Sequence, residues 1–445
     1  MAGSPAKRTL RLWASQWPDN RLTQASQSPD CPLLPADLGA RLKARCTLNL
    51  LTFSALVYLI GMHTFAIVAA VVIIFAVLLD AFETVVLPRR VQRQFRITNW
   101  FYRNTWRPWA MLTSHIQSQT RREAFLGYFG PLSMIALLGL WACGLIFALA
   151  LLEYGSGAHL SAGNTPITFG ILLYHSGETF FTLGYGDITP ASGFSRALSV
   201  AEAGMGFAFL GVVIGYLPTI YTAFSRREIE ISLLDARAGS PPSAAELLTR
   251  AADTIDRGTL DLLFHDWERW AAEVLESHLS YPVLSFYRSQ HSNQSWLGAL
   301  TVVLDATALV MAGIDGVNNE QARRTFKIAR HAVVDLAQVV NAHYDSSASD
   351  RLTPQDLALL RAQLTERGLR LKGDADADQR LAQLRALYEP YVQGIARNLF
   401  ISVPPWIRHD AIRDNWRSGP WDRIIQAQAL GKIAGTQHSM IDDHF

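Results

Sequence analysis

The sequence predicts an all-α protein with two unlike halves, one built for a bilayer and one for water. Three observations predict it. Apolar residues make up 49% of the 445 residues, and the long apolar stretches gather before residue 227. Three of those stretches are long enough to cross a bilayer as helices, at roughly 20 residues per span. Beyond them, apolar positions recur with helical spacing over most of residues 243–400, and strand alternation is scarce.

In chain order, residues 1–47 form a basic tail with seven Lys or Arg against three acids, expected to be flexible. Residues 48–87 carry the first span: an apolar run from Leu48 to Leu79, continued less cleanly through Asp80 and Glu83. Residues 88–125 form a basic, amphipathic interfacial segment. Arg90, Arg93 and Arg96 recur every third residue there, but Gln92, Gln94, Thr98 and Asn99 intervene, which argues against a voltage sensor. Trp100, Tyr102, Trp106 and Trp109 follow, as expected of a helix lying at a membrane surface. Residues 126–226 contain two further spans, Gly130 to Leu152 without a charge and Ser199 to Phe224 with only Glu202 charged.

Loop charge orients the spans. Between Pro88 and Arg122 lie eight arginines and no acid, which places this loop on the cytoplasmic side. Residues 154–167 then form an external turret, and Arg226 and Arg227 stop the last span on the cytoplasmic side. An odd number of spans leaves the basic tail outside, against its charge. Either the tail crosses, or translation starts near Met62, which N-terminal sequencing would decide. Asp80 and Glu83 are expected to pair with Arg89 or Arg90. Cys31, Cys46 and Cys143 form no disulfide or metal motif.

Between the last two spans lies Thr182-Leu183-Gly184-Tyr185-Gly186-Asp187. Glycines at alternate positions permit left-handed backbone, so successive carbonyls can face one side, with the Thr182 hydroxyl at the inner end. Thr165-Pro166 reads as the start of a short helix running to about Phe181. Its negative C-terminal dipole would favour a cation beyond it.

This motif resembles the selectivity filter of tetrameric potassium channels, specifically bacterial members with one pore loop between two membrane helices. The resemblance covers roughly residues 130–224. Thr182, Gly184, Tyr185, Gly186 and Asp187 match the family filter, and Leu183 departs from the commoner Val. It implies K+ coordination by Thr182, Leu183, Gly184, Tyr185 and Gly186. It also implies that Glu178 and Asp187 brace the filter by sharing a proton or water, helped by Tyr174, and that Gly206 is the gating hinge. Close helix packing is an equally ordinary use of that glycine. Glu202, ionisable within a span, is a functional candidate by default; a hydroxyl partner on the pore helix is one option.

In residues 227–445, Gly239-Ser-Pro-Pro ends a segment, Ser243 to Glu246 reads as a capping box, and Thr353-Pro354 opens another helix. Trp296 to Ile314 is apolar apart from Asp305, whose presence favours a buried core helix over a fourth span. No glycine-rich phosphate loop follows a strand. Asp374, Asp376 and Asp378 fail as a calcium loop, because Gln379 and Arg385 occupy its sixth and twelfth positions; a solvated acidic turn is expected. No catalytic constellation is present, so no enzyme activity, cofactor or nucleic-acid partner is expected. The expected protein is a K+-selective, homotetrameric channel in the inner membrane, contacting lipid and carrying a cytoplasmic regulatory half. The alternatives are a poorly selective cation channel and a membrane-anchored sensor with a non-conducting pore.

Overall fold

A computed structural model describes residues 36–87, 96–163, 165–253, 257–291, 293–344 and 350–408. It divides into two units, Met1–Ala66 and Ile67–Phe445. In the first, the described residues are helical. They belong to α1, Ala36–Ala81, which closes in a π-helical turn, Phe82–Val86. Residues 36–47, expected as flexible tail, are thus helical: Ala, Leu, Lys and Arg dominate there and are good helix formers.

The second unit holds the remaining helices. These are α2 (Ile97–Leu112), α3 (Gln119–Ser156), α4 (Phe169–Phe180) and α5 (Gly193–Ala238). After them come α6 (Ala244–Asp253), α7 (Arg257–Ser280), α8 (Trp296–Gly313), α9 (Glu320–Val339), α10 (Pro354–Glu366), α11 (Ala375–Ala386) and α12 (Glu389–Leu399). Two short strands, β1 (Leu160–Ser161) and β2 (Thr189–Pro190), pair antiparallel with Leu160 opposite Pro190. They tie the turret to the segment that follows the filter, with the Ala191 amide donating to the His159 carbonyl at 2.8 Å.

Helix α4 starts three residues later than the Thr165-Pro166 signal implied; Thr168 precedes it, in extended conformation. Helix α5 is the longest element of this unit. At 1.5 Å per residue, its 46 residues run about 69 Å, twice what a bilayer core needs. It continues through Pro218 and past Arg226 and Arg227. Arg226 stays exposed, but Arg227 is buried and does not stop the helix. Its guanidinium pairs with Glu228 at 2.9 Å and donates to the carbonyls of Leu284 and Tyr287, both at 2.9 Å. The charge that ends the apolar run thus fastens it to the second half.

The interfacial segment is also more deeply docked than expected. Arg90 and Arg93 lie outside the described residues. So does Arg89, and the pairing of Asp80 and Glu83 expected with Arg89 or Arg90 therefore falls outside them too; both acids meet Arg96, at 3.9 and 3.5 Å. Asp80 is fully buried and accepts from the Thr98 amide, the Thr98 hydroxyl and the Trp141 indole. Trp100 is exposed, as a surface anchor should be. Tyr102, by contrast, stacks on Phe286, and Trp106 is buried, its indole donating to the Asn398 carbonyl at 2.9 Å. An aromatic face that can reach a protein core gains more from full burial than from the interface.

Helices α6–α12 pack around α8, whose Trp296 to Val310 are buried without exception. Asp305 tolerates this site because Arg351 reaches both its oxygens, at 3.3 and 2.5 Å, and Tyr388 donates to it. Ser243 caps α6 through the Glu246 amide, and Thr353 and Asp356 form a full capping box on α10. The acidic turn expected at Asp374 to Asp378 is the start of a helix: Asp374, exposed, caps α11, accepting from the Ala377 amide at 2.8 Å, and Asp378 pairs with Arg361. Acids at the first turn of a helix complement its dipole.

Candidate functional site

The pore loop grows directly out of the C-terminal end of α4. The Thr182 amide donates to the Thr179 carbonyl at 3.0 Å and the Leu183 amide to the Glu178 carbonyl at 2.8 Å. Two residues on, the Tyr185 amide donates to the Glu178 carboxylate at 3.3 Å. Glu178 is buried, so one residue holds the loop at two points, with its backbone and with its side chain.

That grip fixes where the carbonyls point. In a trans peptide the C=O and the following N–H are antiparallel. With the amides of Leu183 and Tyr185 turned back to Glu178, the carbonyls of Thr182 and Gly184 face away from it. The backbone alternates to match: φ is +55° at Thr182, +60° at Gly184 and +79° at Gly186, while Leu183 and Tyr185 stay at negative φ. Glycine adopts these values freely. Thr182 does not, since a β-branched residue there is strained. That strain was not legible in the motif, where only the glycines signal left-handed backbone. No comparable bond fixes the peptides carrying the Leu183 and Tyr185 carbonyls among the described residues.

No direct hydrogen bond joins Glu178 to Asp187 among the described residues. Asp187 is exposed, and Glu178 spends its free oxygen on the Tyr185 amide. Asp187 lies near the Tyr174 phenol. Gly206 is a packing glycine: a Cβ there would lie 1.8 Å from the Phe180 carbonyl oxygen. The close approach lets α5 press against the end of α4 just where the loop begins.

Glu202 is fully buried beside the same helix, its Oε1 accepting from the Ser176 hydroxyl, which also reaches the Ile146 carbonyl at 2.9 Å. Nearby, His175 Nδ1 lies 3.0 Å from Glu153 Oε1, and both residues are buried. Sequence reading singled out Glu202 but missed Glu153 and His175. The available signal was weak: an acid directly after an uncharged span, and an ionisable ring inside a short re-entrant helix.

Among the described residues, four helices are long and apolar enough to cross a membrane: Ile60–Val86, Arg121–Ser156, Gly193–Ala238 and Trp296–Gly313. The last is 89% buried within the chain against 11–44% for the others, which makes it a core helix. Large side chains stay uncovered along the rest, including Phe75, Ile135, Val200, Phe207 and Ile214. These surfaces suit lipid or further subunits.

Residues 135–223 match a family model, Ion_trans_2, described as an ion channel. The chain is also similar to an uncharacterized membrane protein, YdjJ, of Bacillus subtilis (strain 168). The two are 23% identical over 238 residues, which cover 53% of this chain and 68% of that protein. No solved structure matches. Parts of two membrane helices, the short helix between them and a gripped loop with alternating backbone thus lie in a segment, residues 135–223, that matches an ion-channel family within an all-α membrane protein.

Proposed function

We propose that the chain forms a potassium-selective channel as a homotetramer and conducts K+ passively through a filter lined by Thr182 to Gly186. The observation that carries this reading is the peptide orientation: carbonyl oxygens of Thr182 and Gly184 face away from the scaffold, with left-handed backbone at every second residue. Such oxygens can replace a dehydrated cation's water, provided several copies surround one axis. One chain supplies one loop, and Leu183 and Tyr185 remain exposed in it; four copies close the ring. The basic loop between α1 and α3 supports an inner-membrane protein with its second half in the cytoplasm.

Gating is transmitted through α5. The helix that flanks the loop is the one that Arg227 anchors to the second half, so a shift in that half moves the inner end of the pore without passing through a linker. The decisive experiment is flux and reversal potential of reconstituted protein in mixed K+ and Na+. A reversal near the K+ equilibrium potential supports the reading. Equal permeabilities indicate a poorly selective cation channel, and absent flux indicates a sensor with a closed pore. Chemical crosslinking in lipid should end at a four-chain species.

A further inference from the structure

Glu153 at the end of α3, His175 on α4 and Glu202 on α5 bring one potential ligand atom each within 4.8 Å of one another, and all three residues are buried. The cluster is short of hydrogen-bond donors. Four carboxylate oxygens share one imidazole nitrogen and one serine hydroxyl, and that hydroxyl is also claimed by the Ile146 carbonyl. Glu153 Oε2 and Glu202 Oε2 are buried with no hydrogen-bond partner. Arg or Lys does not neutralise these acids: no salt bridge to either residue from such a side chain occurs among the described residues.

We propose that Glu153, His175 and Glu202 form a divalent transition-metal site that staples the three helices of each pore subunit together. A doubly charged cation matches two carboxylates and a neutral imidazole, and it gives the orphaned oxygens a partner. The donor set favours zinc-like ions: one nitrogen and two oxygens suit a small tetrahedral cation at 2.0–2.2 Å, whereas calcium takes six to eight oxygens. The metal takes the place now held by the contact between His175 Nδ1 and Glu153 Oε1, and only a small inward movement of side chains is needed. Ser176 or water completes the fourth position. The site holds α4 to both flanking helices one turn before Glu178, and so steadies the base of the loop.

The test uses full-length, tag-free protein in detergent, stripped with chelator, incubated with zinc chloride and desalted. The expected result is about one zinc per chain by elemental analysis, with an X-ray absorption signature of nitrogen and oxygen ligands including imidazole and no sulfur. His175→Gln and Glu202→Gln should each weaken zinc affinity at least 10-fold, while His265→Gln, at an exposed histidine, leaves it unchanged. Should a variant fail to elute as the wild type on gel filtration, the absorption spectrum of the wild type still decides. Wild-type protein that retains no zinc overturns the proposal and leaves protons as the cluster's neutralising charge. Zinc held equally well by the His175 and Glu202 variants, or bound through sulfur, overturns it as well. None of these readings depends on ion flux, so they stand apart from the channel assignment.

Discussion

Asp305 and Glu202 are both fully buried acids on apolar helices, and they are treated oppositely. Asp305, in the second half, meets a bidentate Arg351 and a Tyr388 hydroxyl. Glu202, in the pore half, has one contested hydroxyl and one oxygen with nothing. The helices that carry them differ in the same way: α8 is 89% buried within the chain, while the apolar window of α5 is 11% buried. The second half supplies its own apolar solvent and its own counter-charges, so its chemistry closes within one chain. The pore half does not. Its surfaces and its charges await lipid, ions and other copies.

Removing the partner of Asp305 should produce the largest effect. Arg351→Ala leaves a buried, uncompensated carboxylate and should cost about 3–5 kcal/mol. Denaturant unfolding followed by tryptophan fluorescence would report it, since Trp267, Trp270, Trp296 and Trp406 are all buried in that half. In metal-stripped protein, Glu202→Gln should cost about 1 kcal/mol or less, because little compensation is lost. A large loss there would erase the contrast between the halves.

Gly206→Ala should come next. The new methyl meets a backbone carbonyl, so α5 must move, and overpacking of this kind costs about 1–3 kcal/mol. Thermal unfolding in detergent should show the loss, with Gly204→Ala as the control, since a Cβ there meets nothing within 4 Å.

A third effect should appear on acidification. His278 is buried against Arg227, and burial first, then that guanidinium, hold its pKa well below the usual histidine value. Its Nδ1 donates to the Val274 carbonyl at 2.8 Å and its Nε2 accepts from Arg227 at 3.2 Å, which a neutral ring satisfies. The unfolded chain therefore binds the proton more readily, and stability must fall as pH drops through about 6.5. Each pH unit below that should remove up to about 1.4 kcal/mol, and His278→Gln should flatten this part of the stability profile. An unchanged profile in that variant would place the acid sensitivity elsewhere.

The smallest effect concerns the loop. Glu178→Ala removes one hydrogen bond to the Tyr185 amide, worth about 0.5–1.5 kcal/mol. Single-channel records should show conductive periods shortened up to about 10-fold, with the reversal potential unmoved. A shifted reversal potential would mean that Glu178 sets which ion passes, and not only how long the path stays open.

Elements whose signal is local or periodic were legible in the residues themselves. An uncharged run marked α3, a run with Glu202 as its one charge marked much of the first part of α5, alternate glycines marked the loop, and Asp305 marked α8 as a core helix despite its hydropathy. Ser243 and Thr353 marked helix starts, because a cap acts within three residues of itself. Tertiary structure alone decided the partners. Arg96 came to Asp80 and Glu83, Tyr185 took Glu178, and Trp106 left the interface for a core that lies almost three hundred residues away in sequence. It alone brought Glu153, His175 and Glu202 together from three helices. Local patterns reveal which face of a helix seeks burial, but a charge pairs with whatever the packing brings within a few ångströms, and that distance belongs to the whole fold.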